Sequence, residues 1–179
     1  MAIHIYTDGS SKAKDNQRHY WGGWGFCVYK VRSTDPKRHN LLSEQSGYKK
    51  NADNVIMEIK AMRHALLHVS SALNNNKINV ADNEPIIFHS DLLPMIKIMK
   101  QYTNFKSEDC LNKPINQLPF KFKKLIEDAI LFKIKNPKVQ FRWVKAHSGI
   151  EGNEYADKLA QNAADQLKSE YHQQESLKP

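Results

Sequence analysis

Between Asn54 and Leu73 the apolar residues Val55, Ile59, Met62, Leu66, Val69 and Leu73 recur at helical spacing and form one continuous stripe. The segments on either side keep a different period. Ala2–Asp8 sets Ile3, Ile5 and Thr7 against His4, Tyr6 and Asp8. That alternation is the mark of a strand. Trp21–Val31 and Asn40–Tyr48 read as two further strands joined by a turn containing Asp35–Pro36. Glu84–Ser90 carries a short buried-strand run, Ile86-Ile87-Phe88, and Val139–Val144 alternates Val139, Phe141 and Trp143 with Gln140 and Arg142.

Three more helices are expected: Leu92–Gln101, limited at its start by Pro94, then Leu118–Lys135, then the alanine-rich Glu151–Lys168. Ser10–Tyr20 and Tyr102–Pro114 read as loops, and Tyr171–Pro179 as a polar, frayed tail. Five strands interleaved with helices predict an α/β fold, a mixed five-stranded sheet covered by helices on both faces. At 179 residues the chain is the size of one domain, expected over 1–170 with the tail at 171–179.

No apolar run approaches the roughly 20 residues that span a bilayer, and the amino terminus has no basic and apolar leader pattern. An intracellular, cytoplasmic monomer is expected, with no membrane and no obligate protein partner. Cys27 in a strand-like run and Cys110 in a polar loop fit one core thiol and one loop thiol in a reducing compartment. Without CxxC spacing they form neither a zinc site nor a disulfide framework. The net charge of +8 favours a polyanionic partner, although a generic basic surface has the same composition.

Two strands end in an aspartate, Tyr6-Thr7-Asp8-Gly9-Ser10 and Phe88-His89-Ser90-Asp91. Ligands bind beyond the carboxyl ends of parallel strands in open α/β sheets, so two such carboxylates could face one site. Each alone reads equally as the start of a turn. Glu58 falls at the edge of the apolar stripe. Two positions are open to it: against the core, where a buried charge needs something positive beside it, or swung out to water. His147 and Gly149 fall in a turn after the last strand. Asn153 and Asp157 are i,i+4 neighbours on the helix that follows, with Ala156, Ala160 and Ala163 small enough for close packing on the sheet.

Taken together, Tyr-Thr-Asp-Gly-Ser, the Met57-Glu58 helix, the strand ending in Asp91, and Trp143-Val-Lys-Ala-His-Ser-Gly with Gly152-Asn-Glu and Ala156-Asp-Lys-Leu-Ala resemble the four signature segments of type 1 ribonuclease H. They stand in that family's order over residues 2 to 168. The resemblance implies an RNase H-like fold and an endoribonuclease that hydrolyses the RNA strand of RNA–DNA hybrids by two-metal-ion, in-line cleavage. The products would carry 5′-phosphate and 3′-hydroxyl ends.

The resemblance further implies that Asp8, Glu58, Asp91 and Asp157 are catalytic and hold two Mg²⁺ ions, for which Mn²⁺ can substitute, with Asp8 bridging them and His147 moving a proton or assisting product release. A hard, all-oxygen ligand set suits those ions. Gly9, Ser10, Asn54 and Glu58 would lie along the RNA strand. Basic residues would track phosphates without reading bases: Lys12, Lys14 and Arg18, then Lys49 and Lys50, then Lys121 and Lys124.

The chain departs from the family pattern in its polar segment Ser11–Tyr20, in Leu92-Leu93 after Asp91, and in a short Gln101–Pro114 that lacks a tryptophan-bearing basic protrusion. The last departure puts the grip on the DNA strand in doubt. Competing readings are another nuclease of the same fold, such as an integrase, transposase or junction resolvase, and an inactive binder of hybrids or duplex RNA. A retroelement origin is a further alternative, against which the start at Met1 directly before the first strand favours a free-standing enzyme.

Overall fold

The computed structural model describes residues 1–13, 20–32, 35–81, 84–103 and 118–177, of which 32 and 35–38 are described by their backbone alone. Lys14, Arg18, Cys110 and most of the Tyr102–Pro114 segment lie outside the described residues. The elements are β1 (Ala2–Ala13), β2 (Tyr20–Arg32), β3 (Asp35–Lys50), α1 (Asn54–Asn74), β4 (Ile86–Ser90), α2 (Leu93–Thr103), α3 (Phe120–Lys135), β5 (Gln140–Trp143) and α4 (Glu151–Ser176). The five strands form one sheet in the order β3-β2-β1-β4-β5. β1 runs antiparallel to β2 and parallel to β4, β2 and β3 are antiparallel, and β4 and β5 are parallel. The sheet is therefore mixed, as the interleaving of strands and helices predicts.

The alternation along β1 feeds two cores. Ile3 and Ile5 join Phe26, Met62, Leu66, Phe88 and Leu125 in the larger one, under α1 and α3. Tyr6 joins Cys27, Tyr29 and Ala156 in a smaller one, under α4. The seat of α4 is made by glycines on β2. A β-carbon at Gly23 would lie 2.0 Å from the Ala160 carbonyl oxygen, and one at Gly25 would lie 2.8 Å from that of Ala156. Backbone thus rests on backbone, and Ala156, Ala160 and Ala163 are buried as their size allows.

Local chemistry sets the helix ends. The Asp53 side chain caps α1 by accepting from the Ile56 N–H at 2.8 Å. Past its other end Asn76 takes a left-handed φ of 55°, and the Lys77 N–H reaches the Ala72 carbonyl at 2.8 Å. α3 begins two residues later than the apolar spacing predicts. Proline disfavours helical geometry in the residue before it, so Leu118 stays outside and the helix starts after Pro119.

Three expectations need correction. β1 continues through Ala13 rather than ending at Asp8, because Ser10–Ala13 pair with Tyr20–Gly23, and a backbone ladder needs no apolar alternation. β3 begins at Asp35 rather than Asn40. The tail expected to fray from Tyr171 is helical to Ser176. The Tyr171 ring lies 4.8 Å from that of the buried Trp21, Lys50 Nζ sits 4.4 Å over it, and the Tyr48 hydroxyl donates to Glu170 at 2.9 Å. Among the described residues no helix is long and apolar enough to cross a membrane.

Candidate active site

The register of the two parallel central strands brings two carboxylates to one end of the sheet. Tyr6 pairs with His89, the last position of that ladder. Asp8 and Asp91 each lie two residues beyond it, so they are neighbours. The third carboxylate arrives from α1. Gly9 has no side chain, and the α1 backbone at Met57 and Glu58 passes directly over it. Glu58 is thereby delivered beside Asp8. One carboxylate oxygen from each of Asp8, Glu58 and Asp91 falls within 4.8 Å of the other two.

Asp8 is 5% exposed and Glu58 2%, which settles the two positions the sequence leaves open for Glu58 in favour of the core. At an effective dielectric of roughly 20, two charges this close repel by about 3 kcal/mol or more. Among the described residues no lysine or arginine pairs with any of the three. Burial, then the charges of Asp91 and Asp157, push Asp8 up to about 7, against the lowering pull of hydrogen bonds from Glu58 and from the Gly9 N–H at 2.7 Å. Burial and the charges of Asp8 and Asp91 raise Glu58 well above the ordinary carboxylate range. Asp91 is raised mainly by burial. Among the described residues the positive partner expected beside Glu58 is thus not a lysine or arginine side chain.

Neighbouring groups hold the cluster in shape. The Ser90 hydroxyl lies 3.5 Å from Glu58 Oε2 and accepts from the Leu92 N–H at 3.1 Å. The Trp143 indole N–H donates to the Asp91 carbonyl at 2.9 Å, so β5 steadies the turn that carries Asp91. Ser90 and Trp143 were not singled out as site residues by sequence. Hydroxyl and indole groups next to a strand end carry no periodic signal.

Asp157 stands slightly apart. It groups with His147 and Glu154, each offering an atom within 4.8 Å of the others, and Gln161 donates to its Oδ1 at 2.7 Å. Its charge still reaches Asp8 and Asp91, raising both. His147 Nδ1 is 3.9 Å from Asp157 Oδ2, with the histidine side chain 75% exposed. His147 has a left-handed φ of 50° and Gly149 one of 77°. Ser148 Oγ donates to the Lys145 carbonyl at 2.6 Å, and the Gly149 N–H donates to Glu154 at 3.3 Å. Glu154 is a third residue that sequence reasoning did not place at the site.

Gly9 is buried and Ser10 half-buried at the same sheet end, and Asn54 is exposed at the first position of α1. Lys121 and Lys124 are exposed on the first turns of α3. They line a groove of about 710 Å³ between α1 and α3, away from the carboxylates.

A sequence model of the RNase H family matches residues 1–165. The chain belongs to the RNase H family. That membership makes it a ribonuclease H in class, a hydrolase of the nuclease type. It is 26% identical over 159 residues to the ribonuclease H of Nitrosospira multiformis, covering 88% of this chain and 86% of that relative. Its fold is similar to that of LC11-RNase H1, solved in complex with RNA/DNA hybrid, with a TM-score of 0.60, 20% identity, and coverage of 92% of this chain and 98% of that one. It is also similar to part of the foamy viral protease-reverse transcriptase in complex with RNA/DNA hybrid, with a TM-score of 0.65 and 16% identity. There the match takes in 91% of this chain and spans 20% of the larger protein.

Proposed function

We propose that this member of the RNase H family hydrolyses the RNA strand of RNA–DNA hybrids by in-line displacement, leaving 5′-phosphate and 3′-hydroxyl ends. The observation that carries the reading is the set of three carboxylates within 4.8 Å of one another, two of them buried, with no lysine or arginine among the described residues paired to them. Such a set fits a divalent cation, because hard oxygen donors suit Mg²⁺ and a cation offsets the repulsion among the three carboxylates. Asp8, Glu58, Asp91 and Asp157 would hold two Mg²⁺ ions, or Mn²⁺ in their place. When bound, these ions supply positive charge at the attacking and leaving oxygens.

The protein's own part is orientation and proton transfer. Ser90 and the Gly9 N–H fix the rotamers of Glu58 and Asp8, so the carboxylates meet the substrate in one arrangement. His147, exposed on its loop beside Asp157, is positioned to give a proton from its ring nitrogen to the leaving 3′ oxygen. Gly9, Ser10 and Asn54 lie along the RNA strand in this reading, where the 2′-hydroxyl distinguishes ribose from deoxyribose. Lys121 and Lys124 contribute positive charge for phosphates. The enzyme acts as a cytoplasmic monomer.

The test is to incubate end-labelled hybrid, duplex DNA and junction DNA with the protein, in Mg²⁺ and in excess EDTA. RNA fragments with ligatable 3′-hydroxyls, formed from hybrid alone and only with Mg²⁺, are expected. Full cleavage in EDTA sinks the metal reading. Preferred cutting of duplex or junction DNA sinks the substrate reading.

A further inference from the structure

Asp157 stands on a stretch of α4 whose backbone is fixed. The carbonyls of Ala156 and Ala160 rest on Gly25 and Gly23, with no room for a β-carbon at either glycine. With the helix seated on both sides, the freedom left to Asp157 is rotation of its own side chain. Gln161, one turn further on, takes up that freedom. Its Nε2 amide donates to Asp157 Oδ1 at 2.7 Å. The other oxygen, Oδ2, faces the loop and lies 3.9 Å from His147 Nδ1.

Gln161 is exposed, and an i,i+4 pair on a helix surface adds little to the stability of the fold. What the bond changes is the number of oxygens that Asp157 can offer. Asp8 is treated alike: its Oδ1 accepts from the Gly9 N–H at 2.7 Å. Asp157 also borders the same cluster, since its charge raises both Asp8 and Asp91.

The count of oxygens matters because divalent cations differ in what they ask of a carboxylate. Mg²⁺ demands near-octahedral geometry at about 2.0–2.1 Å, which suits one oxygen from each acid. Ca²⁺ takes about six to eight oxygens at longer range and readily accepts both oxygens of one carboxylate. A carboxylate with one oxygen tied to an amide N–H cannot close on a cation with both.

We propose that Gln161 is a positioning residue that holds Asp157 to a single ligating oxygen and so biases the site towards Mg²⁺ over Ca²⁺. This rests on the divalent-cation reading of the carboxylate cluster. Gln161 acts through Asp157 and touches neither substrate nor cation. Without the amide, the Asp157 side chain turns freely: it meets Mg²⁺ in fewer of its orientations and can present both oxygens to Ca²⁺.

The experiment is isothermal titration calorimetry of wild type and Gln161→Met with Mg²⁺ and, separately, with Ca²⁺, together with thermal melts in EDTA. Methionine keeps the length of glutamine and lacks the donor. Gln161→Met is expected to weaken Mg²⁺ binding about tenfold, the low end for lost partners of a metal ligand, and to leave Ca²⁺ binding within about twofold or tighten it. Tm in EDTA stays within about 2 °C of wild type. In an Asp157→Asn background the same substitution is expected to change neither affinity by more than about twofold, because the two residues act as one unit. The proposal is overturned if Gln161→Met leaves the ratio of Mg²⁺ to Ca²⁺ affinity at its wild-type value, or if the change in ratio persists in Asp157→Asn. A wild-type chain that binds no divalent cation overturns the cation reading and the role of Gln161 together. A wild-type chain that binds Mg²⁺ and cuts hybrid, with an unchanged ratio in Gln161→Met, overturns the role of Gln161 alone.

Discussion

Gly9 leaves no room for a side chain, because its β-carbon would lie 2.2 Å from the Glu58 backbone nitrogen. That contact fixes how near α1, and with it the Glu58 carboxylate, stands to Asp8. Gly9→Ala must push α1 off the sheet against backbone, not against a flexible side chain. Overpacking of this kind costs about 1–3 kcal/mol. At this chain length that is a Tm loss of roughly 3–10 °C. Cleavage is expected to fall at least about 10²-fold, since small displacements at a positioned site are costly. Thermal melts and hybrid cleavage rates check both, and a variant with wild-type values on both would show that the approach is slack.

The carboxylate cluster makes metal-free stability depend on pH. Folded Asp8 takes its proton at about 7, against 3.8 for the ordinary group. Its charged form therefore opposes folding: the loss is absent below about pH 4, grows as the pH rises and is complete above about 7. The buried His89, held down to about 3, works in the opposite direction below about 6.5. The difference between wild type and Asp8→Asn isolates the carboxylate. In EDTA, Asp8→Asn is expected to gain about 2–4 kcal/mol over wild type on going from pH 4 to pH 8, and Mg²⁺ should abolish that gain. Parallel pH profiles for the two proteins in EDTA would remove the electrostatic account.

The turnover roles of Asp8 and His147 separate by variant. Asp8→Asn is expected to lose several orders of magnitude in rate while binding hybrid as well as wild type, because it removes an anion next to phosphate. His147→Ala should lose about 10²-fold in turnover and keep its metal dependence. His147→Asn, which tolerates the left-handed φ of 50° at this position, tests whether the loss comes from the imidazole or from loop geometry. Cleavage within about tenfold of wild type by Asp8→Asn, a margin of only about 1.4 kcal/mol, would make Asp8 a turn residue.

The end of α4 is a structural part of the domain. Truncation after Glu170 removes the Tyr171 ring from Trp21 and from the Lys50 amine. Aromatic pairing and the cation contribute about 1–2 kcal/mol together, so Tm should fall by roughly 3–8 °C. Differential scanning calorimetry of the truncated chain decides it; an unchanged Tm would mean that the last turns add nothing.

The strands that bury one face and the stripe on α1 were readable because burial writes a period into sequence. Asp8 and Asp91 were readable as strand-end acids, but their closeness depends on β1 and β4 being parallel neighbours with Tyr6 opposite His89. Local pattern does not encode that pairing. The same blindness hid the continuation of β1 through Ser10–Ala13, which is held by a backbone ladder with Tyr20–Gly23. It also hid the docking of Tyr171, whose partner Trp21 lies 150 positions away in the chain.

The glycine seat on β2 has a bearing on how such a chain tolerates drift. Asp157 is indexed to the sheet through the carbonyls of Ala156 and Ala160 lying on Gly25 and Gly23. Side-chain volumes elsewhere in the core can change without altering that spacing, because backbone atoms and the Leu159 β-carbon set it. Replacement of side chains elsewhere leaves the ruler intact as long as Gly23, Gly25, Ala156 and Ala160 keep their places.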